Sequence, residues 1–322
     1  MPFRSRPGGL VPRGVIALLL PLIVMGGMIA KAGQSVRAEE ATTPVAGGVG
    51  MPATVLGTDG INVRSCPSLS CEVLATVKLG DSVIVTGTPV DGFSPVDYGG
   101  LQGFAYDLYL MKQGGAAPYL LEGEAGCKRI AIIFNIGIGE RPILGILDDL
   151  KKRDVPATVF LMGWWAEANP REVRRIADQG FVIGSHGDQQ HELTSLGDAQ
   201  VAQDVADADA AITEALGERP SPWFTAYGAA SDDRTRDIVA RTGYLPVEWR
   251  VPAADFGPGA TAKSVYSRVM PSVYDGAIVE FHLDGPASAT STAVALPWIV
   301  DELRDAGYEF VTIPEMADPC EG

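Results

Sequence analysis

The chain has 322 residues, 46% of them hydrophobic, enough for one large domain and a smaller one with a sizeable core. Its formal net charge is −15 at pH 7. The first 38 positions hold Arg4, Arg6, Arg13, Lys31 and Arg37 and no acid, so the remainder is more acidic still. A surface of that sign argues against nucleic acid and anionic lipid as partners.

In chain order, the three arginines precede GVIALLLPLIVMGGMIA at residues 14–30, an uncharged apolar run, and Val36-Arg37-Ala38 offers small residues at cleavage-like spacing. Residues 1–38 read as an export signal, either cleaved or kept as an anchor. Membrane association is expected only through that segment if it is not cleaved. Residues 39–52 (EEATTPVAGGVGMP) are small, polar and rich in Gly, as in a flexible linker.

Residues 53–113 hold short β-rich runs, Ala53–Leu56, Ile61–Arg64, Val73–Val77 and Ser82–Thr86, separated by turn signals such as Gly57-Thr58-Asp59-Gly60 and Gly80-Asp81. This pattern predicts a small all-β barrel. Residues 114–127 (GGAAPYLLEGEAGC) read as a second linker. From 128 to 316 apolar strands alternate with helical patterns: Arg129–Phe134, Ala157–Met162, Phe181–Ser185, Pro222–Tyr227, Tyr244–Trp249, Ala277–His282 and Tyr308–Ile313 are the strand candidates. Alternation of this kind means a parallel sheet, here an α/β fold of about seven units in a distorted (β/α) barrel with its chemistry at the strands' C-terminal ends. Residues 317–322 are left as a tail.

Export makes disulfides available. Four cysteines allow three pairings. Cys66–Cys71 and Cys127–Cys320 are preferred because each stays within one expected domain, and the second would close a very long loop, for which the chain-entropy model gives about 4–5 kcal/mol at most. No Cys-x-x-Cys pair points to structural zinc.

The segment GINVRSCPSLSCEVLATVKLGDSVIVTG resembles the bacterial SH3-type domain, with Cys66 at a position where that family has Gly. The resemblance implies a module that binds cell-wall peptide or acts as a spacer. From 128 to 316 the strand ends resemble the polysaccharide deacetylase family, the NodB-homology domain of carbohydrate esterase family 4, most specifically in VPATVFLMG (155–163) and GFVIGSH (180–186). That resemblance implies a divalent metal, often zinc, held by one Asp and two His, with a second Asp as base and a later His as general acid. It also implies a backbone N–H at Tyr227 as oxyanion donor.

Here the pattern departs from the family. The base position is Asn135 and the metal-Asp position Ile136. His186 keeps the first metal-His position, Gln190 stands at the second, and His191 follows it. The family's next Arg is Phe224, Asp255 is retained, and His282 keeps the general-acid position with Asp284 two places on. A lost base alone costs about 10²–10⁴-fold. No cofactor is therefore expected, unless His186 and His191 rebuild a zinc site with Asp188, Glu192 or Asp284. Trp164, Trp165, Trp223, Tyr227 and Asp255 are the candidate substrate-binding residues, since aromatic faces stack on sugar rings.

The implied protein is exported, associated with the cell envelope, catalytically degenerate, and a binder of cell-wall glycan or peptidoglycan. An active de-N-acetylase with a rearranged site and a scaffold that binds no sugar are the alternatives.

Overall fold

The computed structural model describes residues 50–139 and 141–320; the apolar segment expected as an export signal lies outside the described residues. Among the described residues, no helix is long and apolar enough to cross a membrane.

Seven short strands come first: β1 (Met51–Val55), β2 (Gly60–Arg64), β3 (Val73–Lys78), β4 (Ser82–Val85), β5 (Phe93–Tyr98), β6 (Leu101–Tyr106) and β7 (Leu110–Lys112). They form one antiparallel sheet in the order β3-β2-β6-β5-β4-β1-β7. Period-two alternation turns Ala53, Val55, Ile61, Val63, Val83 and Val85 inward. The β5–β6 turn is Gly99-Gly100, both at positive φ, the two-glycine solution to a tight hairpin. β1 starts at Met51, inside the segment expected as the first linker.

The second sheet is parallel: β8 (Arg129–Ile136), β9 (Thr158–Leu161), β10 (Val182–Ser185), β11 (Trp223–Phe224), β12 (Leu245–Pro246), β13 (Val251–Pro252), β14 (Ala277–His282) and β15 (Glu309–Val311). The order is β12-β11-β10-β9-β8-β14-β13, with β15 beside the start of β8. Eight helices accompany it among the described residues: α1 (Gly145–Lys152), α2 (Gly163–Ala168), α3 (Pro170–Asp178), α4 (Asp198–Leu216), α5 (Asp233–Arg241), α6 (Ala262–Val269), α7 (Thr292–Asp305) and α8 (Ile313–Ala317). α4 buries a stripe of Val201, Val205, Ala208 and Ile212. α5 is capped by Asp232, whose carboxylate accepts from Thr235 N–H.

β8 decides what reaches the site. Ile130, Ile132, Phe134 and Ile136 pack into the cluster shared with α1 and α7, while Ala131 and Ile133 belong to a different cluster inside the curled sheet. By the same alternation Asn135 shares the inner face and Ile136 the helix-facing one.

The inner cluster continues into the first sheet. Val55, Leu56, Tyr109 and Leu110 pack in it with Ile133, Phe160, Trp223, Leu245 and Ile278. Tyr109 meets Trp223 edge-on, with ring centroids 6.1 Å apart, and its hydroxyl donates to Asp318 Oδ1 at 3.2 Å. The segment 114–127, expected as a linker, is instead built into the fold. Leu120 is buried, its N–H donates to Pro246 O and its carbonyl accepts from Glu248 N–H, both at 2.8 Å, so it adds a rung beside β12. The described residues lie in one compact unit. Both expected disulfides are present, Cys66–Cys71 with Cα atoms 5.6 Å apart and Cys127–Cys320 at 5.7 Å.

Candidate functional site

At the strand ends a run of hydrogen bonds crosses the sheet from β10 to α7. His186, just past β10, sets Nδ1 2.8 Å from Thr225 Oγ1 and 3.0 Å from the Thr225 carbonyl. Thr225 Oγ1 donates to Asn135 Oδ1 at 2.9 Å. Asn135 Nδ2 donates to Glu280 Oε1 at 3.4 Å, and the same oxygen lies 3.1 Å from His282 Nε2. On its other side His282 Nδ1 lies 2.9 Å from Asp255 Oδ1, while its backbone N–H donates to Asp255 Oδ2 at 3.0 Å. Thr292 Oγ1, at the start of α7, donates to that same oxygen at 2.5 Å. Glu280 and His282 reach this run together because they are two apart on β14, and His282 pairs with Asn135 across the sheet.

The ionisation states follow from burial and neighbours. Burial, and then the His282 charge, pull His186 down to about 3 against its Thr225 hydrogen bond, so it is neutral at pH 7. Burial pushes Glu280 up to about 7; the Asp255 charge adds to this, while the His282 charge and the Asn135 bond oppose it. For His282 burial disfavours the charge, but the Asp255 hydrogen bond and the Glu280, Asp255 and Asp284 charges outweigh it and raise the pKa. Burial also raises Asp284, outweighing the N–H groups of Gly139 and Gly137 that its Oδ2 accepts at 2.9 Å each.

The family's divalent metal does not fit this donor set. Of the three ligand positions, Ile136 is a hydrocarbon turned into the helix-facing core. Gln190 uses its amide N–H groups on the Gly137 carbonyl. His186 alone offers a ring nitrogen. His191, considered as a replacement, is an exposed rim residue, and Asp188, considered as its partner, accepts from Gln189 Nε2. Among the described residues, the one converging group of three metal-binding types is Glu124, Cys127 and Cys320, whose two cysteines are joined in a disulfide.

The expected sugar-binding residues separate. Trp164 lines an open groove of about 560 Å³ with Ile138, Gly139, Gln189, Gln190 and His191. Tyr227 is half-buried at the end of β11, its ring 6.0 Å from that of His186. Trp165 and Trp223 are fully buried and have no face to offer. Trp223 opens β11 instead of closing it, which puts it in the inner cluster against Tyr109. Asp255 is wholly buried and holds His282, so it positions that ring and does not face a substrate.

Two residues escaped the sequence. Phe256 is 52% exposed, with its ring 5.6 Å from that of His282 and nearly perpendicular to it. Glu280 sits inside an apolar strand, AIVEFH; an acid there, two residues before a candidate His, was the available signal.

A family model described as polysaccharide deacetylase matches residues 122–247, and one described as bacterial SH3 domain matches residues 59–111. The chain is similar to the peptidoglycan-N-acetylglucosamine deacetylase PgdA of Listeria monocytogenes, 31% identical over 59% of this chain and 39% of that protein. It thus spans about two-fifths of that relative's length. It is also similar to the chitooligosaccharide deacetylase of Sinorhizobium fredii, 30% identical over 53% of this chain and 83% of that one. Among solved structures, one described as a CE4 family pseudoenzyme from Bacillus anthracis shares the fold with a TM-score of 0.58 and 24% identity, over 64% of this chain and 71% of that one. Strand-end geometry, matched models and a relative covered over most of its length agree that this chain belongs to the polysaccharide deacetylase family, with a bacterial SH3 domain ahead of its barrel.

Proposed function

We propose that this is an exported cell-envelope protein whose barrel binds cell-wall glycan without hydrolysing it. The observation that carries the reading is the state of the two acid positions. Asn135 cannot take a proton from water and has its amide committed to Thr225 and Glu280, while Ile136 faces the helices. The general acid of the family, His282, has its Nε2 held by Glu280 instead of facing a leaving group. What remains is the groove, with Trp164 on its wall and Phe256 exposed beside His282. Relatives named for peptidoglycan N-acetylglucosamine and chitooligosaccharide support a glycan as ligand. The basic-flanked apolar N-terminus supports export.

The test begins with zinc loading of the purified chain, desalting and elemental analysis. Well under one zinc per chain is expected, together with no acetate release from N-acetylglucosamine oligomers. Stoichiometric zinc that disappears in His186→Ala would overturn the reading in favour of a rebuilt hydrolase. On the binding side, Trp164→Ala and Phe256→Ala should each weaken retention on insoluble peptidoglycan by about three- to tenfold, the usual scale for one aromatic contact. Unchanged retention in both variants would leave the groove without a role.

A further inference from the structure

Three carboxylates surround one imidazole at the strand ends, next to the groove: Gly139, which lines it, donates its N–H to Asp284. Asp255 is saturated by His282 and Thr292. Glu280 Oε1 meets Asn135 and His282. Asp284 gives Oδ2 to the Gly137 and Gly139 N–H groups, but its Oδ1 is buried without a hydrogen-bond partner, although the residue is only 5% exposed. Among the described residues, no Lys or Arg side chain bonds any of the three. The carboxylates therefore outnumber the cation that faces them, and an orphaned carboxylate oxygen marks where a proton donor is missing.

We infer that these strand ends, beside the groove, recognise sugar carrying a free, protonated amino group and discriminate against the N-acetylated form. The inference rests on the glycan-binding reading above and names the ligand of that same site. An ammonium group brings three N–H donors and a positive charge to these carboxylates, whereas an acetamide brings a carbonyl oxygen that they repel. The side chains of His282 and Glu280 keep 10% and 5% of their surface open, so a small substituent can meet them while the ring lies against the exposed Phe256. The chain would thus bind glycan from which acetyl groups have already been removed.

The test is calorimetric titration of the full chain near neutral pH. The probes are a β-1,4-linked glucosamine tetramer and its fully N-acetylated counterpart. The amine form should bind about tenfold tighter or better, a difference of about 1.4 kcal/mol. Glu280→Gln, which keeps the shape and removes the charge, should reduce that ratio to below about threefold while the acetylated tetramer binds as before. Asp284→Asn should reduce the ratio independently. Equal binding of both tetramers overturns this inference and leaves glycan binding standing. No binding of either overturns the glycan reading and this inference with it.

Discussion

Trp223→Ala should destabilise both modules at once, by about 3–5 kcal/mol, the range for emptying a large buried aromatic site. Trp223 is 1% exposed and lies in the cluster that joins Val55, Leu56 and Tyr109 of the first sheet to Phe160 and Leu245 of the second. The cavity would open on the seam between the modules, where neither sheet can collapse into it without leaving the other. Chemical denaturation followed by two probes, one in each sheet, should show a single transition shifted by the same amount. A decrease of this size lowers Tm by roughly 6–20 °C. Two separate transitions, with only the barrel's displaced, would show that the modules are energetically independent.

Asp255→Ala should cost about as much for a different reason. Breaking a buried ion pair by removing one partner costs about 3–5 kcal/mol because the other charge is left without compensation. Here the loss would strand the His282 ring and backbone N–H and the Thr292 hydroxyl together. Part of the effect should depend on pH. The folded-state pKa of His282 is raised above its unfolded value of about 6.5, so the stabilisation from its charge is fully present below that value. It is lost as pH rises through the folded pKa. The gap between wild type and Asp255→Ala should therefore be widest in mild acid and narrow in alkali to the part due to the backbone and Thr292 bonds. Asp284 also faces His282 and stays in both proteins, so its contribution largely cancels; Glu280 does not cancel, because the Asp255 charge raises its pKa and is absent in the variant. Ring-nitrogen chemical shifts give a second readout: His282 should titrate lower in the variant. A gap independent of pH, with an unmoved His282 titration, would mean that the imidazole is neutral throughout.

The barrel could be read in the sequence because its strands are apolar on both faces and its helices carry regular stripes; β8 and α4 announce themselves. The two-residue strands β11 to β13 could not be placed so well, since too few residues repeat to set a period. The expected strand Pro222–Tyr227 is accordingly only Trp223–Phe224 in the fold. The substituted acids at 135 and 136 could be read directly, but their separate fates could not. Whether a residue at a strand end faces the lumen or the helices depends on register, and only the packed β8 decides it. Asp255 read as a substrate contact because its partner is 27 residues away in sequence. Residues 114–127 looked like a linker because their composition is small and flexible, whereas Leu120 is held by backbone hydrogen bonds that composition does not report.

The seam between the two modules also bears on how such a chain can change over generations. SH3-type modules and deacetylase barrels would be exchangeable among wall proteins if each brought a finished surface. In this chain the ring of Tyr109 closes over Trp223, and the backbone N–H of Gly57 reaches the carbonyl of Gly243. A foreign N-terminal module would meet a contact shaped for another partner, and a barrel cut free would present Trp223 and Leu245 to water. The two modules are therefore coupled through this seam, and a substitution on one side changes what the other side packs against.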